Sequence, residues 1–144
     1  MTMDYSQAFA ISAAGMSVQR TRVEVAALNL ANAHSVQAAD GPAFQPLRVI
    51  ARPAASFDAL VAPGLDAGLL PTASIEPAAT LPRMVYEPGH PLADARGFVR
   101  HAGIDSATEM VTLMSALRSY EANVAAMNTA RSLALKALEI GRAG

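Results

Sequence analysis

A chain of 144 residues is one domain's length, and although 52% of it is hydrophobic only 5% is aromatic, so alanine supplies much of the apolar count and a core built from it is thin. A formal net charge of −1, with no basic or acidic block, argues against a nucleic-acid or anionic-membrane surface. The absence of cysteine excludes disulfides, thiolate metal sites and cysteine nucleophiles, and no run of roughly 18 apolar residues is present to span a bilayer.

The chain opens with "MTMDYSQ", which holds an aspartate and no lysine or arginine. A cleaved signal peptide wants a basic start before its apolar stretch, so "AFAISAAGMSV" reads poorly as a signal core. It reads well as a helix over 5–33. Phe9, Ala13, Met16, Arg20, Val23, Ala27 and Leu30 step by four and three, a heptad seam with one misfit at Arg20. Ile11, Ala14, Val18, Thr21, Val25 and Leu28 form a second seam, and a helix apolar on two sides is buried on two sides. The helix ends in "NLANA" (29–33), where Asn29 and Asn32 share a face. Asparagine favours helix ends, so the pair reads either as a cap or as two amides offered to a partner.

All nine prolines lie between Pro42 and Pro91. Residues 36–104 therefore read as a small Pro/Gly-rich, β-type insert, with strand-like pieces at 44–51, 83–87 and 97–100 and a tight turn at "EPGHP" (87–91). Residues 52–82 are alanine- and proline-rich and weakly patterned.

The last helix starts more clearly. Ser106 and Glu109 fit a capping box, with Asp105 as a second possible cap. Met110, Leu113, Leu117, Tyr120, Val124, Met127, Arg131, Ala134 and Leu138 then make a seam that runs to a stop near Gly141. The fold class is mainly α: an axial helix in 1–35 pairs with a second in 105–144 as an antiparallel coiled-coil layer, and 36–104 loops out between them. The surplus apolar face then needs other subunits.

Chemistry is not indicated. His34, His90 and His101 lie in or beside loops without metal-ligand spacing, and the serines lack a nucleophile-elbow or triad context. Met110, Met114 and Met127 read as seam packing. The chain is expected to be no enzyme, with no catalytic residue, no metal and no cofactor.

"NLANA", "MVYEPGHPLADARGFV" (84–99) and the stretch from Glu109 to Gly141, with its "RSYEANV" (118–124), together resemble the bacterial flagellar rod and hook axial proteins, in their proximal-rod branch. The resemblance covers roughly two-thirds of the chain. Departures occur at "HAGID" (101–105), where a proline–asparagine pair is usual, and at Leu28, where serine is frequent. It implies a structural subunit of the basal-body rod, exported through the flagellar type III apparatus without signal cleavage and assembled into a periplasm-spanning tube. Implied partners are further copies of the chain, rod proteins of the FlgB, FlgF and FlgG types, and the rod-base adaptor FliE, with no nucleic acid and no membrane insertion. The residues expected to carry assembly are Asn29, Asn32, Leu113, Leu117, Arg118, Tyr120, Glu121, Asn123, Val124 and Met127. Arg118 and Asn123 are read as contacts between subunits, with Glu121 orienting Arg118. The alternative function is a soluble coiled-coil adaptor linked to export.

Overall fold

The computed structural model describes residues 5–37, 44–53 and 70–142. The first four residues, which bear on the signal-peptide reading, and 38–43 and 54–69 within the expected insert lie outside the described residues. The elements in chain order are α1 (Tyr5–Ala31), β1 (Val36–Gln37), β2 (Leu47–Pro53), β3 (Pro71–Pro77), β4 (Arg83–Tyr86), β5 (Phe98–His101) and α2 (Ser106–Arg142). Two helices of 27 and 37 residues flank a small antiparallel-sheet region, so the architecture is mainly helical.

Strands β1, β5 and β4 form an antiparallel sheet in that order. Val85 lies opposite Val99, which is fully buried and centres the sheet. On the other face Tyr86 meets Phe98 edge-on, with ring centroids 5.3 Å apart. The connection from β4 to β5 is fastened from within. Asp94 Oδ1 accepts the amides of Arg96 (2.8 Å) and Phe98 (2.9 Å), while its own amide donates to Phe98 O. The Phe98 amide is the main reason the Asp94 carboxyl lies below its usual value. Gly97 closes the connection at φ 81°, where a side chain would be strained and would meet the Tyr86 ring. The "EPGHP" turn is present, closed by His90 N donating to Glu87 O at 3.0 Å.

Strands β2 and β3 form a second, two-stranded sheet. Ala78 N donates to Pro46 O, Arg48 meets Glu76, and Thr72 Oγ1 donates to Arg52 O, a progression that runs in opposite chain directions as an antiparallel pair requires. Strand β3 was not expected. Two prolines bound it, and alanine and serine occupy its middle, so it lacks the β-branched alternation that marks a strand.

Contacts divide the chain into two compact units. One holds residues 1–21, 51–74 and 115–144, and the other holds 22–50 and 75–114. Each helix therefore contributes to both. Among the described residues the buried apolar side chains are small: Val18, Val25, Ala26, Ala33, Val99 and Ala116.

Helix α2 begins where expected, but its cap differs from the capping box. Asp105 is the N-cap: Oδ1 accepts the Ala107 amide at 3.2 Å, Oδ2 accepts the Thr108 hydroxyl, and the backbone O takes the Glu109 amide. Glu109 sits one residue too far along to return the capping bond, and its carboxylate is engaged elsewhere. At the other end the helix runs to Arg142, one residue past Gly141. The Thr108 hydroxyl, then the Ala107 amide, hold the Asp105 carboxyl below its ordinary 3.8. A lowered pKa means the cap stabilises above that value and is lost as pH falls through the folded-state pKa. Asp105→Ala should therefore lower the thermal midpoint at pH 7, with the difference from wild type closing as the pH falls below 3.8 in a calorimetric pH series.

Candidate assembly interface

Helical propensity and packing disagree about which face of each helix is inner. Along α1 the buried residues are Ser12, Val18, Val25, Ala26 and Asn29, with Ala33 just beyond, while Ile11 and Leu28 are exposed. Arg20, Ala13 and Ala27 of the expected first seam are exposed too, and Phe9, Met16, Val23 and Leu30 are half-buried. Along α2 the less exposed row is Glu109, Leu113, Ala116, Ser119, Asn123, Met127, Ala130 and Ala134. The seam read from the sequence lies about one residue off this row. Only Leu113, Met127 and Ala134 of it are half-buried, whereas Met110, Leu117, Tyr120, Val124 and Leu138 are exposed. Large apolar residues drew the sequence reading, whereas most of the less exposed row is small or polar.

In the unit containing the first half of α1, Gly15 faces Asn123. A Cβ placed on Gly15 would lie 2.8 Å from Asn123 Oδ1. Asn123 is thus half-buried inside the chain, its Nδ2 donating to Ser119 O at 2.9 Å. Within the chain, then, Asn123 lies against α1.

In the other unit, Asn29 is 1% exposed and its amide is fully engaged. Nδ2 donates to Leu47 O (2.8 Å) and Glu109 Oε1 (3.1 Å), and Oδ1 accepts the Leu47 amide (3.0 Å). The side chain stands in for a neighbouring strand, matching both backbone groups of the first residue of β2. Asn32 does something different. Its Nδ2 donates to Leu28 O at 2.8 Å and its carbonyl accepts from Ser35, which makes it a helix-end residue. Within the chain the two asparagines make separate bonds, Asn32 to the end of its own helix and Asn29 to β2 and α2.

Arg118 and Glu121 are exposed, and among the described residues neither is in an ion pair. Glu121 therefore does not orient Arg118 in the single chain. Among the described residues no cluster of His, Asp or Glu could hold a metal ion, and no helix is long and apolar enough to cross a membrane. His101 lines a cavity of about 420 Å³ beside Ser35, Gln37, Gln45 and Thr80. Its Nε2 is 3.7 Å from Glu87, beyond hydrogen-bond reach, and no nucleophile lies on a base there.

Two expectations follow from these contacts. Asn29→Ala leaves the half-buried Leu47 amide and carbonyl without these partners and should cost about 1–3 kcal/mol in urea unfolding, whereas Asn32→Ala should cost under about 1 kcal/mol. Gly15→Ala should gain about 1 kcal/mol from helix propensity in an Asn123→Ala background, but less or nothing in wild type, where Asn123 must give way.

The comparisons with known proteins agree with the motifs. Residues 95–140 match the family model for the flagellar basal body rod FlgEFG protein C-terminal region, which takes in β5 and nearly all of α2. Over 93% of this chain and 96% of the relative, the sequence is 41% identical to the flagellar basal-body rod protein FlgC of Salmonella typhimurium. It is 33% identical to FlgC of Bacillus subtilis, over 92% of this chain and 95% of that one. With FlgC of Aquifex aeolicus the identity is 35%, over 91% and 92% respectively. Such identity along nearly the whole of each relative, including the helix that carries the outward apolar face, means that the chain belongs to the FlgC family of flagellar basal-body rod proteins.

Proposed function

We propose that this structural subunit of the flagellar basal-body rod builds the proximal part of a tube in which the outward face of α2 meets neighbouring subunits. One observation carries the reading. Leu117, Val124, Leu135 and Leu138 are all at least 36% exposed, while small and polar residues take the inner face. A helix whose largest apolar side chains stay in water has a face reserved for other chains.

Within the chain, the reading includes an antiparallel coiled-coil layer of α1 on α2, with 36–104 as an insert between axial segments 1–35 and 105–144. Two contacts support it. Each lies within one of the two units: Gly15 against Asn123 in the first, and Asn29 bonded to Glu109 in the second. Arg118 and Glu121, exposed beside the outward face, are the candidates for polar contacts between subunits; Arg118 offers a planar fork to a carboxylate or backbone oxygen. The partners are further copies, FlgB-, FlgF- and FlgG-type rod proteins and FliE, reached by type III export without signal cleavage. The protein's part is mechanical, transmitting torque and lining the passage for exported subunits, with no reaction of its own.

The test is complementation of a motile bacterium that lacks its own FlgC. Leu117→Asp and Val124→Asp should leave the purified chain folded, within about 0.5 kcal/mol of wild type because both sites are exposed. Each should nevertheless abolish complete basal bodies and swimming. Wild-type motility from both variants would overturn the assignment of this face.

A further inference from the structure

His101 ends β5, the central strand of the three-stranded sheet, with its side chain only 12% exposed. Both ring nitrogens are buried, and among the described residues neither has a hydrogen-bond partner. Two polar atoms left in that state cost stability that an apolar side chain would not. The register of the sheet identifies the group that answers them. His101 lies opposite Arg83 and Val99 opposite Val85, and the ladder continues to Glu87, whose amide donates to Gly97 O at 2.9 Å. Side chains alternate along a strand, so Arg83, Val85, Glu87, Val99 and His101 share one face. The Glu87 carboxylate and the His101 ring therefore approach each other across the Val85–Val99 pair, with Oε1 3.7 Å from Nε2. Beneath them Val99 is fully buried.

The gap carries the argument. A neutral imidazole has one N–H, and at 3.7 Å it makes no hydrogen bond to the carboxylate. A charged ring donates from both nitrogens and attracts the carboxylate, which needs to travel only about 1 Å to form a charge-assisted bond. Glu87 is free enough to do so, with its side chain 43% exposed. Among the described residues no second carboxylate competes for the ring. From β4 it faces the cation Arg83, which is exposed, and from β1 it faces Val36. The cavity beside it adds Ser35, Gln37, Gln45 and Thr80, all uncharged. On its own strand Arg100 points to the opposite face.

We propose that Glu87 and His101 form an acid-closed latch across Val99, slack while the imidazole is neutral and drawn shut when it is charged. Closed, the latch ties the start of the "EPGHP" turn to the end of β5 and offsets the cost of a charge on a buried ring. Without Glu87 that charge would have no partner, and the sheet would open in acid. The device lies wholly within the unit that holds residues 22–50 and 75–114. It goes beyond the rod reading and does not depend on it.

A cycle of four full-length chains tests this: wild type, Glu87→Gln, His101→Phe and the two changes together. Each is unfolded in urea from about pH 8 to about pH 5, the span in which histidine side chains change charge. At the alkaline end Glu87→Gln should change the folding equilibrium constant by less than about threefold. At the acid end its loss should be about two- to fivefold greater, the strength of a partly exposed ion pair. In the His101→Phe background the effect of Glu87→Gln should be the same at every pH. Proton exchange at the ring, followed by nuclear magnetic resonance, gives a second readout that needs no phenylalanine variant to fold. In acid the wild type should hold a slowly exchanging Nε2 proton, and Glu87→Gln should not. An equal effect of Glu87→Gln at both ends of the range, a pH dependence that survives His101→Phe, or a fast-exchanging Nε2 proton in the wild type would each overturn the proposal.

Discussion

The buried Asn29 side chain makes three hydrogen bonds, and through them the end of α1, the start of β2 and the first turn of α2 are held to one another. Its chemistry is hard to replace. An amide offers a donor and an acceptor at fixed separation, which is what the N–H and C=O of Leu47 require. Aspartate in its place would set oxygen against Leu47 O and the Glu109 carboxylate. Glutamine would carry the amide one methylene too far. With so few large side chains buried, this polar junction supplies order that most domains obtain from apolar packing.

Other features of the same unit depend on it. Glu109 is freed for Asn29 because Asp105 takes over the cap of α2, and the residues between them, Ser106 to Thr108, form the first turn. Asn32 ends α1 locally, which lets the chain turn through Ser35 into β1 and pair with β5. The pairing then buries Val99 completely. A run of short-range caps and turns thus replaces the continuous core that the composition could not provide.

Much of this architecture was legible in the sequence. Proline distribution marked the two helices, and α2 begins within a residue of where the capping pattern put it. Strands β4 and β5 and the turn between them followed from β-branched and aromatic runs with turn residues beside them. The helix faces were not legible, and the reason is physical. Periodicity finds the side with large apolar residues, and in an isolated globular helix that side faces inward. Here Gly15, Ala116 and Asn123 occupy the inner face, and Leu117 and Val124 face out. Asn29 and Asn32 were likewise visible as a pair, but sequence spacing cannot report that one of them meets a strand 18 residues away. The assembly residues split accordingly: Asn29, Leu113, Asn123 and Met127 face their own chain, Asn32 ends a helix, and Leu117, Arg118, Tyr120, Glu121 and Val124 face outward.

The thin core has a thermodynamic consequence. Heat-capacity change on unfolding scales with the apolar area newly wetted, and buried residues such as Ala26, Ala33 and Ala116 contribute little of it. The stability curve of the free subunit is therefore shallow, with little curvature between cold and warm, and its denaturant dependence is weak for its length. The apolar area is wetted in the free subunit and is covered when neighbours arrive, so the large negative heat-capacity change belongs to assembly rather than to folding.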